Sequence, residues 1–284
     1  MLRKNLSVVA VLLALAIVSN SFAAQVYTEW RGTISTDWTV AGNWNNGLPQ
    51  TYHPVGGPKA VDFGKAGFKG TYGSPLIGTG TIVSVDQIVV GGSKPVGASH
   101  GGILNIDGGT LNISEFGNIG NTATDNGIVN INSGSINCGA RISAEGRFIV
   151  GLAGTGVLNI NGGTLNLTTH LTIGDGTVAT SNGLVNLNDG YIYASDLLMK
   201  RQNSLPTANM VITDGILILN NANDLTGKID GYIGNGWISA AEGYTLQRAY
   251  DVDGGTTTVW ATIPEPATLS LFGLGLFGLL RRKK

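Results

Sequence analysis

An eleven-residue pattern recurs along the middle of this 284-residue chain and restricts its fold more than any other feature. The copies read LNIDGGTLNIS from Leu104, VNINSGSINCG from Val129, LNINGGTLNLT from Leu158, VNLNDGYIYAS from Val185 and MVITDGILILN from Met210, with starts 25, 29, 27 and 25 residues apart. In each copy apolar residues alternate along a first run, a glycine-containing turn follows, and a second alternating run begins seven residues after the first. A period of two is the signature of a strand with one buried face. A third apolar point recurs at Ile119, Val150, Ile173 and Met199, and a glycine follows the first three of these. A weaker copy, TIVSVDQIVVGG from Thr81, extends the series toward the amino terminus.

Three short strands in about 25 residues make one rung that cannot bury its apolar face alone and must stack on a neighbour. The expected fold class is therefore all-β: a short, three-faced parallel β-solenoid of the right-handed β-helix type, with six rungs. An antiparallel sandwich or propeller built from hairpins is the alternative, since Asn-Gly-Gly turns also close hairpins. In-register stacking puts Leu104, Val129, Leu158, Val185 and Met210 in one interior column, and Asn105, Asn130, Asn159 and Asn186 in a ladder on the opposite side. That ladder reads as structural, with a polar ligand stripe as the other reading. The single cysteine, Cys138, aligns with Ile113, Leu167, Ala194 and Leu219. It reads as a small core residue.

The expected organisation is a secretory signal peptide (1–23), an N-terminal cap region (24–76), the solenoid (77–220), a C-terminal cap region (221–262) and a terminal segment (263–284). The first of these has Arg3 and Lys4, an apolar run from Leu6 to Val18, and Ser21-Phe22-Ala23, with cleavage by signal peptidase expected after Ala23. Apolar helices are expected at both termini. Open solenoid ends expose strand edges, and the flanks hold Trp30, Trp38, Trp44, Trp237 and Trp260. Aromatic-rich caps are the preferred reading, and sugar stacking on exposed rings is the sharper alternative.

Chemistry is sparse. Charged residues make up 12% and the net charge is -1, which excludes a nucleic-acid footprint. Gly273 to Gly278 matches GxGxxG inside an apolar run with no preceding strand, and carries no nucleotide site. His53, His100 and His170 lack ligand spacing, so neither a metal nor any cofactor is expected. Gly174-Asp175-Gly176 and Asp251 to Gly254 hold oxygens that suit calcium, but Asp-Gly turns account for both. The one irregular rung carries about six extra residues between Cys138 and Val150. Arg141, Glu145 and Arg147 lie there, and neighbouring rungs place His170, Asp196, Lys200 and Arg201 near the same side. These residues, Arg141, Glu145, Arg147 and His170 first, are the candidate polysaccharide contacts. A hydrolase reading can nominate only Glu145 with Asp175 or Asp196, so no catalytic residue is assigned.

The terminal segment has Pro264-Glu265-Pro266, an apolar run from Ala267 to Leu280, and the cations Arg281, Arg282, Lys283 and Lys284. Together these resemble the PEP-CTERM sorting signal. The resemblance implies cleavage near the triplet by an exosortase, a transient hold in the inner membrane with the basic end cytoplasmic, and delivery to the bacterial cell surface or an exopolysaccharide matrix. The repeats resemble autotransporter-type and pectate-lyase-like β-helices, although the acidic and basic residues of the lyase site have no counterpart here. The expectation is a non-enzymatic structural or adhesive surface protein. A polysaccharide lyase or hydrolase and a glycan-binding module are the competing readings.

Overall fold

In a computed structural model of the chain, the described residues are 27–49, 63–66, 73–92, 101–139, 147–176, 178–201 and 206–264. The strands are β1 (Tyr27–Glu29), β2 (Phe63–Ala66), β3 (Leu76–Gly78), β4 (Ile82–Val90), β5 (Gly101–Ile119), β6 (Asn126–Cys138), β7 (Arg147–Val150), β8 (Thr155–Leu167), β9 (His170–Ile173), β10 (Asn182–Ala194), β11 (Asp196–Met199), β12 (Thr207–Ile212), β13 (Ile216–Asn220), β14 (Ile238–Ala240), β15 (Thr245–Asp251) and β16 (Thr256–Thr262). One helix, α1 (Thr226–Gly234), lies among them.

The repeats stack as a parallel β-solenoid of about five turns. Leu104 pairs with Val129, Val129 with Leu158, Leu158 with Val185, and Val185 with Met210, all in parallel register. Hairpin pairing would be antiparallel, so the sandwich and propeller alternatives fall for the repeats. Fewer turns form than the six expected, because both outer copies are incomplete. The Thr81 copy supplies only second and third strands: Val83 pairs with Leu111 and Ile88 with Gly117, while the first strand of that turn is the short β3. The last turn has β12 and β13, and α1 follows where a third strand stands in earlier turns.

Alternation does the rest. Ile106, Ile131, Ile160, Leu187 and Ile212 point inward and are buried, as are Leu111, Ile136, Leu165, Ile192 and Leu217. Each such side chain contributes about 1.5–3 kcal/mol by leaving water. Cys138 pairs with Ile113 on one side and Leu167 on the other, is 4% exposed, and burial pushes its thiol up to about 12.

The outward amides bond along the axis. Asn130 Nδ2 donates to Asn105 Oδ1 (2.8 Å), Asn159 to Asn130 (2.8 Å) and Asn186 to Asn159 (2.8 Å), which forms the expected ladder. Two further ladders accompany it. Asn188, Asn161 and Asn132 donate in series and end on the Asp107 carboxylate at 2.6 Å. On the second face Asn166 donates to Asn137 and Asn137 to Asn112. The second-face ladder was readable in the sequence, since Leu-Asn-Ile, Ile-Asn-Cys and Leu-Asn-Leu repeat there in the second runs.

Each face closes differently at its carboxyl end. β14 adds to β12 in parallel, β16 adds to β13 antiparallel and is followed by β15, and α1 sits below the third strands. There Lys228 reaches Asp196, and the Tyr232 hydroxyl donates to the Leu197 carbonyl. At the other end Trp30, Trp38 and Trp44 are buried in the same continuous core as the turns, with Trp44 edge-on to both of the others. These three rings are closed to sugar stacking; Trp237 and Trp260 keep partial exposure.

Gly183 sits where two turns nearly touch, and a Cβ there would lie 2.2 Å from the Val150 carbonyl oxygen. Gly183→Ala is expected to cost about 1–3 kcal/mol in urea unfolding through overpacking. Gly101→Ala, whose nearest neighbour would be 4.0 Å away, should stay within about 0.5 kcal/mol. Equal losses would mean that the turns are not in this register. Cys138 should resist thiol reagents near pH ~8 until the chain unfolds; rapid labelling of the native protein would contradict its interior position.

Candidate functional site

Several charged residues of the middle turns lie along the third face. Arg147, His170 and Asp196 each open a third strand, and the parallel register puts His170 between the other two. The same ladder carries Ile149 beside Thr172, and both are buried although their side chains point away from the core. Two residues past the end of β9, after Gly174, stands Asp175.

Asp175 is fully buried, and two guanidiniums converge on it. Arg147 Nη1 lies 3.7 Å and Arg201 Nη1 3.8 Å from its Oδ2. The arginines come from opposite sides of the turn that bears the carboxylate and keep 29% and 34% of their side chains exposed. A buried carboxylate requires such partners, because an isolated one would lose its charge instead. Asp196 is held separately by Lys228 Nζ, at 2.7 and 2.8 Å from its two oxygens. Three cations thus face two carboxylates.

His170 lies within this group, and its pKa is lowered. Burial is the largest cause, followed by the positive charges of Arg201 and Arg147; Asp196 and Asp175 pull weakly the other way. Its Nε2 is buried and makes no hydrogen bond among the described residues. Lys200 turns away from the group and places its ammonium 4.9 Å from the centre of the Trp237 ring. It adopts the left-handed backbone (φ 52) that Gly120, Gly151 and Gly174 adopt in the turns before it.

Of the sequence candidates, Arg147, His170, Asp175, Asp196 and Arg201 are brought together, while Arg141 and Glu145 lie outside the described residues. Lys228 is the member that sequence reading missed. It sits on a nine-residue helix containing three glycines, with no helical periodicity to signal it. Chemically, the group offers two guanidiniums held by a carboxylate that is itself inaccessible. Among the described residues, no group of three or more His, Cys, Asp or Glu side chains could hold a metal ion. The calcium-like Asp251 to Gly254 segment is a turn, in which Asp251 Oδ1 accepts from the Asp253 amide.

β16 ends at Thr262, and Pro264, the first residue of the triplet, is exposed just beyond it. Residues 262–284 match the PEP-CTERM protein-sorting motif. The PEP-CTERM motif marks the chain for export and sorting, with exosortase-type processing and a transient C-terminal membrane anchor. Glu265, Pro266, the apolar run and Arg281, Arg282, Lys283 and Lys284 lie outside the described residues, as do Ala23 and the amino-terminal apolar run. Neither expected terminal helix is therefore described, and no helix among the described residues is long and apolar enough to cross a membrane. Comparison with curated proteins and with solved structures finds no match. The described turns form a β-solenoid, and neither comparison confirms the resemblance to autotransporter-type and pectate-lyase-like β-helices.

Because His170 has a lowered pKa in the fold, the unfolded chain gains a proton first as pH falls through about 6.5. Its environment is fully stabilising above that pH, and stability declines below it until the folded imidazole also protonates. Urea midpoints measured between about pH 5 and 8 should fall toward acid, and His170→Gln should flatten part of that slope. An unchanged slope in the variant would remove His170 from the charged group.

Proposed function

We propose that this is an exported structural and adhesive protein of the bacterial cell surface or extracellular matrix, associated with exopolysaccharide. The observation that carries the proposal is the PEP-CTERM motif directly following a folded solenoid body. A rod with a continuous core from Trp30 to Val259 suits a spacer or scaffold outside the cell. In this reading Trp30, Trp38 and Trp44 cap the amino end and the β15–β16 hairpin caps the carboxyl end. Pro264, exposed just past the last paired strand, puts the start of the triplet within reach of a processing enzyme.

The reading is non-enzymatic. Asp175 and Asp196, either of which a hydrolase reading would pair with Glu145, are each engaged with cations, and Asp175 has no exposed surface. General acid catalysis needs a carboxyl that can reach its substrate. A glycan-binding role is compatible with scaffolding and has support of its own in the part-exposed Arg147 and Arg201. The charged face would then serve as a contact surface.

Mass spectrometry of the mature surface protein should find Arg281 to Lys284 removed, with a new carboxyl end near Pro264 to Pro266. A chain that keeps its basic tail at the surface would replace the sorting reading with a permanent anchor. Incubation with acidic and neutral polysaccharides should release no new reducing ends; release abolished by Asp196→Asn would establish the hydrolase instead.

A further inference from the structure

The second face of the solenoid changes character along its length. Two outward columns run down it, one from Ile82 to Gln247 and one from Ser84 to Ala249, set by pairings that continue turn by turn into the terminal hairpin. No side chain in either column is ionisable except two tyrosines. After the exposed Ile82 of the first turn, the next three turns carry Thr, Ser and Asn. At the fourth copy of the repeat, Thr164 gives way to Tyr191 and Asn166 to Tyr193, and Ile216 and Ile218 follow in the next turn. Trp260 then pairs with Ile216.

The rings of Tyr191 and Tyr193 are nearly parallel (22°), with centroids 6.0 Å apart, and Tyr191 is 42% exposed. The core needs none of these side chains, because Ile192, Ala194, Leu217, Leu219 and Val259 fill it from the inner side of the same strands. A contiguous apolar patch that follows three polar turns points to a contact.

The amide ladder supplies the polar half of the site. Asn166 donates to Asn137 at 2.8 Å, but the next position is Tyr193, so no amide follows to donate to Asn166. The ladder's acceptor end therefore stops against the aromatic pair. Each ladder amide also retains a second N–H and a second lone pair. A ligand matching this surface must offer uncharged apolar faces to the rings and, within one residue, groups that both donate and accept. Sugar rings with their hydroxyls have that character.

We propose that the outer second face, centred on Tyr191, Tyr193 and Trp260 and bordered by Asn166 and Asn137, binds a neutral polysaccharide. The site is separate from the charged third face. It deepens the exopolysaccharide association proposed above and rests on that reading for its biological ligand, although binding itself can be measured on the purified chain.

Native affinity electrophoresis of the full chain, in gels containing hydroxyethyl cellulose, galactomannan or laminarin and in a parallel gel with alginate, tests the site. Retardation by at least one neutral polymer is expected, weakened about tenfold or more in Tyr191→Ala/Tyr193→Ala. Tyr193→Phe should retain it, and Arg31→Ala, at the exposed amino end of the molecule, should leave it unchanged. Circular dichroism and thermal melting verify that each variant is folded. Three results would overturn the proposal: no retardation of the folded protein by any neutral polymer, retardation by alginate alone that is lost in Arg147→Ala/Arg201→Ala, or self-association abolished by the tyrosine substitutions without glycan binding. Loss of both glycan binding and matrix retention in the tyrosine variant supports the site and the surface role together. Loss of binding with retention intact upholds the site and refutes adhesion through it.

Discussion

Parallel hydrogen bonding of each turn to the next is the interaction on which the rest of this structure depends. A single turn has three short strands and no opposing sheet, so its backbone donors and acceptors along one edge, and its inward aliphatic side chains, are satisfied only by a neighbour. Stacking aligns equivalent residues, and from that alignment come both the interior columns and the amide ladders. The ladders are directional: every amide donates toward the amino end, and one series stops on the Asp107 carboxylate. A charged acceptor at 2.6 Å strengthens the terminal bond relative to an amide acceptor.

The same alignment explains why charge collects where it does. Residues far apart in sequence share the third face because each opens or closes an equivalent strand, and Arg147, His170 and Asp196 become neighbours by register alone. Burying Asp175 demands nearby cations, and Arg147 and Arg201 are the ones the adjacent turns provide. The result is a pair of guanidiniums converging on one buried carboxylate, with His170 in register between Arg147 and Asp196. The second face, whose two outward columns carry no formal charge and lead from amides into aromatics, gives one short rod two chemically distinct surfaces.

Much of this was legible from residue spacing. The apolar-Asn-apolar triplets located the turns, the interior column and the first ladder, and the alignment of Cys138 with aliphatic residues predicted its burial. The irregular rung drew attention to Arg147 and His170, and the register places His170 between Arg147 and Asp196. What could not be read were the ends. The Thr81 segment reads as a weaker copy of the repeat but supplies only second and third strands, because its few residues alternate equally well in either place. The glycine-rich segment from Thr226 has poor intrinsic helicity. It is helical in the fold, where Ile229 is buried and Lys228 and Tyr232 bond to β11.

By itself, then, the sequence determined that the chain is a stack of β turns with an aliphatic interior, and that its last 23 residues, 262–284, carry a sorting motif. Both are written in local pattern: a period of two along each strand, a period near 25 to 29 between strands, and a triplet, apolar run and basic end in fixed order. Tertiary structure alone decided which side chains meet across turns. It also decided that two arginines enclose one buried aspartate, that a helix ends the third face, and that the second-face ladder runs out against two tyrosines. Those outcomes depend on register and on how each open edge is covered, and neither is encoded within a single repeat.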